Sequence, residues 1–142
     1  MITLELPWPP SVNTYWRSPN RGKLAGRTLI SERGRRYRRE AAQAIVACNN
    51  PKVPPGRRLS VTLLVYPPDR RRRDLDNLPK GILDALTHAG VIEDDSLIDR
   101  LQILRCNTGL KGGGIHAFIE ILNENSCLYL PIPSGECAVQ FQ

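Results

Sequence analysis

Asp74 and Asp76 stand two residues apart behind four consecutive arginines, Arg70 to Arg73, and a further acidic cluster, Glu93-Asp94-Asp95, follows shortly after. Of the fourteen Asp and Glu residues in a chain of formal charge +6, eight lie between Asp69 and Asp99. Like charges crowded in this way call for solvent or a cation between them. In an extended segment alternate side chains share a face, so both carboxylates would project together from Cα atoms roughly 6.5 to 7 Å apart, close enough for one hard cation to bridge. Asp95 is the third candidate ligand. A helix from Asn77 to Ala89 would carry the chain about 20 Å away at roughly 1.5 Å per residue. The stretch from Gly90 to Asp95 can return at most about 17 Å. Asp95 therefore rejoins the pair only if residues 91–95 double straight back along that helix; otherwise it serves another subunit's site, or none.

Several other motifs contain two Asp residues at this spacing, and most fail here. A calcium loop beginning at Asp74 would need Gly and Glu where Pro79 and Ala85 stand. An aspartyl-phosphate phosphatase would want Thr or Val in place of Leu78, and a nucleotide-sugar transferase needs far more chain. No Ser or Cys nucleophile carries a sequence signature, and neither His88 nor His116 has a histidine partner at helical spacing. From spacing alone, metal binding and a structural role, with capping and ion pairs to Arg70–Arg73, stand equally open. Lys80 adds weight to the first. Placed at the start of a helix four residues after Asp76, its ammonium could face a scissile phosphate, although an exposed partner of Asp76 or Asp84 has the same spacing. Carboxylates for Mg²⁺, a neighbouring lysine and adjacent arginines form an inventory for phosphodiester hydrolysis.

The elements that must position these residues follow from pattern. Ile2 to Leu6 alternates and stops at Pro7-Trp8-Pro9-Pro10, which predicts a short edge strand entering a rigid loop. Residues 11–28 are polar and basic and read as a surface arch. Ser31 is placed to cap a helix from Glu32 to about Cys48, with Tyr37, Ala41, Ala44, Ile45 and Cys48 on one face and Asn49-Asn50-Pro51 as its stop. Leu59 to Tyr66 reads as a strand, so the arginine run begins where a strand ends. Asp76 is placed to cap a second helix that carries Pro79 in its first turn and stops at Gly90. Ser96–Cys106 and Ile115–Leu122 read as two strands joined in a hairpin at Gly109–Gly114. The expected fold class is α/β (α+β): a small mixed sheet with two main helices in the order β-α-β-α-β-β. Residues 1–122 would form the domain, and residues 123–142 a tail that is either disordered or docked on a partner.

The chain has 142 residues, 41% of them hydrophobic, enough for one domain with one core. An isoelectric point near 9.5 points to an acidic partner, with nucleic acid foremost. Arg33, Arg35, Arg36, Arg38 and Arg39 could track phosphates; Lys111 among Gly109, Gly112, Gly113 and Gly114 could place backbone amides on phosphate, or the segment is a plain hairpin turn. Trp8, Tyr15 and Trp16 could stack on unpaired bases or simply pack. Cys48, Cys106, Cys127 and Cys137 lack the spacing of a zinc site and read as free thiols. No signal peptide and no long apolar run is evident, so the expectation is a soluble cytoplasmic protein without membrane attachment.

Taken together, Leu6-Pro7-Trp8-Pro9-Pro10-Ser11 with Asn13 nearby, Asp69 through Leu78 with Lys80, Asp84-Ala85-Leu86, and Asp94-Asp95 resemble, in order and spacing, the RusA-type Holliday junction resolvases. These are small endonucleases common in bacteriophages and prophages, and the likeness runs from about Ile2 to Leu122. The resemblance implies a homodimeric, magnesium-dependent enzyme, with Mn²⁺ as a possible substitute, that cuts four-way DNA junctions by paired symmetric nicks during recombination and repair. By motif position Asp74, Asp76 and Asp95 would be the metal-binding acids, Asp95 preferred over Asp94 by the pattern alone. Lys80 would be the catalytic-site base or phosphate contact. Arg70, Arg71, Arg72, Arg73, Arg35, Arg36, Arg39 and Lys111 are the candidate DNA-binding residues. An isologous dimer suits two equivalent cuts, because it presents two equivalent sites. The competing readings are a non-catalytic phage nucleic-acid-binding protein, and a metal nuclease for another branched or single-stranded substrate.

Overall fold

The computed structural model describes residues 1–107 and 110–123. The expected tail, along with Cys127, Cys137 and Gly109, lies outside the described residues. The chain runs β1 (Ile2–Leu6), α1 (Val12–Tyr15), β2 (Trp16–Arg17), β3 (Leu29–Ile30), α2 (Glu32–Ala47), β4 (Leu59–Tyr66), a 3₁₀ turn (Leu75–Asn77), α3 (Pro79–His88), a second 3₁₀ turn (Asp95–Leu97), β5 (Ile98–Arg105) and β6 (Gly114–Ile121). The expected mixed sheet with two main helices is present. The arch after Ser11 holds more order than its composition suggested, in a one-turn helix and a two-residue ladder between β2 and β3.

Four strands form one sheet in the order β1-β6-β4-β5. β4 is central because it is the most apolar: Leu59, Val61, Leu63 and Val65 are all at most 1% exposed. These residues, with Leu4, Leu6, Ile115, Ala117 and Ile119, form one face of the sheet, and the core is completed by Tyr37, Ala41 and Ile45 of α2 and Ile82, Ala85 and Leu86 of α3. Burying each of the larger aliphatic side chains contributes roughly 1.5–3 kcal/mol before entropy is counted.

The expected β5–β6 hairpin does not form. β5 pairs parallel with β4, and β6 pairs antiparallel with β4 on its other edge. The cause is α3, which fills the connection from β4 to β5; a helical crossover returns the chain parallel to the strand it left. The link from β5 to β6 must then pass over the end of β4. It does so at Gly113, where φ is +73° and a Cβ would lie 2.7 Å from the Pro68 nitrogen and 2.8 Å from the Tyr66 carbonyl oxygen. Gly113→Ala is expected to cost about 2 kcal/mol through both strain and overlap, seen as a drop of several degrees in Tm.

Helix α2 begins and ends as patterned. Ser31 Oγ accepts from the Gly34 amide at 3.0 Å, and Asn49 and Asn50 turn the chain out with φ of 65° and 48°. The second helix differs at its start. Asp76 does not cap it: α3 begins at Pro79 with Leu78 as N-cap, and Asp76 sits inside the preceding 3₁₀ turn. Proline at the first helical position has a preset φ and no amide to be capped, so the helix boundary settles on it. For the same reason Asp74–Asp76 is not a continuous extended segment: Asp74 is extended, and the turn that follows closes with Leu78 N–H on the Leu75 carbonyl at 3.3 Å. At the other end Gly90, with φ +73°, reverses the chain, and Val91 N–H returns to the Leu86 carbonyl at 3.0 Å.

Candidate active site and nucleic-acid interface

The sheet sets which loops meet. Leu6 at the end of β1 pairs with Ile115 near the start of β6, and Tyr66 at the end of β4 pairs with Gly114. The Pro7–Pro10 loop, the Pro67–Arg73 loop and the Leu110–Gly113 turn therefore leave the same end of the sheet. Val65 pairs with Arg105 near the end of β5, and the Arg105 guanidinium donates to the Arg73 carbonyl, tying the arginine run to that end as well.

Within the run, Arg73 differs from its neighbours. Its guanidinium grips Asp69 in a bidentate pair, Nη1 to Oδ1 at 2.6 Å and Nη2 to Oδ2 at 2.9 Å, and lies 5.5 Å from the centroid of the Trp8 ring. Those bonds, with one from the Arg71 amide, hold the Asp69 carboxyl down to about 2. Arg73 is thus a strut between two loops, while Arg70, Arg71 and Arg72 stay exposed. The pairing that the sequence left open for Asp74 and Asp76 goes to Asp69 instead. Among the described residues neither Asp74, Asp76 nor Lys80 makes a side-chain hydrogen bond or ion pair, and all three are exposed.

Two adjoining grooves meet at this end. One, of about 710 Å³, runs between the Pro7–Pro10 loop, Arg71–Arg73 and the Arg33–Arg36 face of α2. The other, of about 430 Å³, lies between Trp8, Asn13, Asn77 and Asp74, and shares Arg72 and Arg73 with the first. The arginines of α2 divide by helical phase. Arg33 and Arg36 face the large groove, Arg36 with Glu40 at 3.4 Å, whereas Arg35 and Arg39 line a separate hollow with His88 and Ile30. Arg38 is committed elsewhere. Lys111 is exposed in its turn at the same end of the sheet, beside Glu5 and Leu6. Of the aromatic residues, Trp8 borders both grooves, while Tyr15 is fully buried and packs edge-on against Trp16, so these two support the core rather than stack on a base.

Asp95 lies elsewhere. It precedes β5, whose first residue, Ile98, pairs with Leu59 at the start of β4, the end opposite the arginine loop. The path from Ile98 to Arg105 spans on the order of 20 Å, far beyond what two ligands of one cation can share. The Asp95–Leu97 turn packs on α3. Accordingly no group of three or more metal-ligating side chains is assembled among the described residues. Asp94 is the N-cap of the Asp95–Leu97 turn, accepting from the Ser96 amide at 2.7 Å, which holds its carboxyl below the usual range. Asp95 is left exposed beside it.

A cluster without a local sequence signal supports the site from beneath. Arg38 of α2 donates from Nε to Asp84 Oδ2 at 2.7 Å and from Nη2 to Oδ1 at 3.0 Å, and the Tyr15 hydroxyl donates to the same carboxylate. Burial pushes the Asp84 carboxyl up, and the bonds from Arg38 and Tyr15 pull it down further, so it sits below its ordinary value. The three residues join α1, α2 and α3. Ser31 adds a second tie, its Oγ donating to the Thr14 carbonyl at 2.6 Å, and Gly34 permits the contact, since a Cβ there would lie 2.6 Å from the Tyr15 carbonyl oxygen. Cys48 and Cys106 are free thiols, and no helix among the described residues is long and apolar enough to cross a membrane.

A family model described as Endodeoxyribonuclease RusA matches residues 7–120. The Crossover junction endodeoxyribonuclease rusA of Enterobacteria phage HK97 is 43% identical over 100 residues, covering 70% of this chain and 78% of that protein. Crossover junction endodeoxyribonuclease RusA of Escherichia coli strain K12 is 40% identical over 125 residues, covering 86% and 97% respectively. The protein of that name from Shigella sonnei strain Ss046 matches at the same identity and over the same coverage. With a family model across most of its length and relatives of nearly its own extent, the chain belongs to the RusA endodeoxyribonuclease family.

Proposed function

We propose that this protein is a metal-dependent endodeoxyribonuclease that resolves four-way DNA junctions. The observation that carries this reading is the pair Asp74 and Asp76, exposed and without internal partners among the described residues, next to an arginine-lined groove. Two uncommitted carboxylates supply hard oxygen donors that suit Mg²⁺ or Mn²⁺. Bound there, the cation would supply charge neutralisation at the phosphate and activation of the attacking water. Asp74 and Asp76 hold that position from one subunit. Asp95, too distant within its own chain, completes the site of a partner subunit in a two-fold homodimer, which also supplies the two equivalent centres that paired nicks require. Lys80, on the first turn of α3, offsets negative charge developing on the phosphate. Arg71, Arg72, Arg33 and Arg36 bind flanking phosphates in the large groove, and Arg70 and Lys111 extend the basic surface at that end.

The test is scission of an end-labelled four-way junction beside a linear duplex of the same sequence, with Mg²⁺ and with EDTA. Paired symmetric nicks in the junction alone, lost with EDTA, are expected. Junction binding without nicks under any divalent metal would instead establish a non-catalytic binding protein. Equal cutting of junction and linear duplex would point to a nuclease for another substrate.

A further inference from the structure

The smaller groove has a composition that phosphate binding does not explain. We infer that it is a nucleobase pocket, which receives one unstacked base beside the scissile phosphate and reads its edge with Asn13 and Asn77. This inference rests on the junction-nuclease reading and adds to it the residues that select the cut site.

The groove encloses about 430 Å³ and borders Asp74 directly, so a nucleotide in it lies next to the metal-binding carboxylates. One wall is Trp8. Its indole is held in place by the Arg73 guanidinium, itself fixed by Asp69, so the aromatic surface is set before DNA arrives. Leu78 also borders the groove but is buried in the core, so Trp8 supplies its apolar wall. An aromatic wall suits the face of a base, and bases at a branch point are the ones available for unstacking.

Asn13 and Asn77 both border the groove, and among the described residues neither side chain makes a hydrogen bond. Each carries a donor and an acceptor, the combination that pairs with a base edge and discriminates among bases. The larger neighbour, by contrast, is bordered by five arginines, Arg33, Arg36, Arg71, Arg72 and Arg73, and by no amide side chain. Arg72, shared by both grooves, is placed to hold the phosphate between the base and the track beyond. Nothing in the linear sequence couples Asn13 to Asn77, since the two are brought together by the tie of α1 to α2 and α3.

Two measurements test this on the full chain. In the first, nick positions are mapped at single-nucleotide resolution on junctions that differ only in the bases flanking the crossover. Wild-type protein is expected to prefer some flanking bases by about tenfold or more, and Asn13→Ala to flatten that preference, with Asn13→Asp shifting it to other bases. A wild-type protein that cuts without preference, or an Asn13→Ala variant that keeps the wild-type pattern, overturns the pocket while leaving the nuclease reading intact. The second needs no cutting: 2-aminopurine is placed at the crossover and its fluorescence is followed on binding to Asp76→Asn protein. The pocket predicts a fluorescence change that is lost when Trp8→Ala is added to that protein. Binding without any change at every crossover position refutes it, whether or not the wild-type protein cuts DNA.

Discussion

Asp76→Asn protein is expected to bind a four-way junction about as well as wild type and to cut it at least about a thousandfold more slowly, a loss of roughly 4 kcal/mol of transition-state stabilisation. The substitution keeps the shape of the side chain and removes the charge, and since Asp76 makes no internal bond among the described residues, the fold has no reason to respond. Asp95→Asn should behave alike. The informative experiment mixes the two inactive proteins. In a heterodimer of shared sites, one centre carries both substitutions and the other carries neither, so the mixture recovers single nicks without paired resolution. If each site were built from one chain, both centres would hold a defect and the mixture would stay inactive. Strand-specific labelling of the junction after subunit exchange separates these outcomes. Recovery supports a partner-supplied Asp95; inactivity of the mixture, with each single variant still binding, would place Asp95 in the site of its own chain, and undiminished cutting by Asp95→Asn alone would place it outside the site. Undiminished cutting by Asp76→Asn alone would remove the carboxylate pair from the mechanism.

The largest effect on stability is expected at Asp84. Its side chain and that of Arg38 are only 24% and 22% exposed, and the carboxylate also accepts from Tyr15. Asp84→Ala strands a guanidinium and a buried phenol together, and should cost about 2–3 kcal/mol, or roughly 6–10 °C in Tm by thermal denaturation. Arg38→Ala should cost a similar amount, and the double variant little more than either, because both remove the same interaction. A pH signature follows from the direction of the shift. A carboxyl held below its ordinary value of 3.8 in the folded state contributes stability that is fully present above that value and is lost as pH falls through the lower, folded one. Wild-type protein should therefore lose stability below about pH 4 more steeply than Asp84→Ala, in which that source of acid sensitivity is gone. Matching acid limbs in the two proteins would show that Asp84 is not ionised against Arg38 in the folded chain.

Local chemistry alone was enough to define several elements. Ser31, the buried stripe of Tyr37, Ala41 and Ile45, and the paired asparagines delimit α2 because caps, helical periodicity and left-handed turns act over a few residues. The same holds for β4 and for Asp74, Asp76 and Lys80, whose proximity is built into a short stretch of backbone. Partners separated by many residues were not legible. The sheet order depended on α3 filling the crossover, and neither the Ile98–Arg105 nor the Gly114–Ile121 pattern states which strand it pairs with. Arg38 looked like one of five equivalent arginines on a basic helix; only the packing of α2 against α3 directs it to Asp84, 46 positions away. Asp95 looked adjacent to the other acids in sequence, yet the parallel register of β4 and β5 carries it to the far end of the sheet. Residue types and short spacings thus specify the available chemistry, while long-range packing specifies which of those groups share a site, because a side chain's partners across the fold are chosen by burial and strand register rather than by its neighbours along the chain.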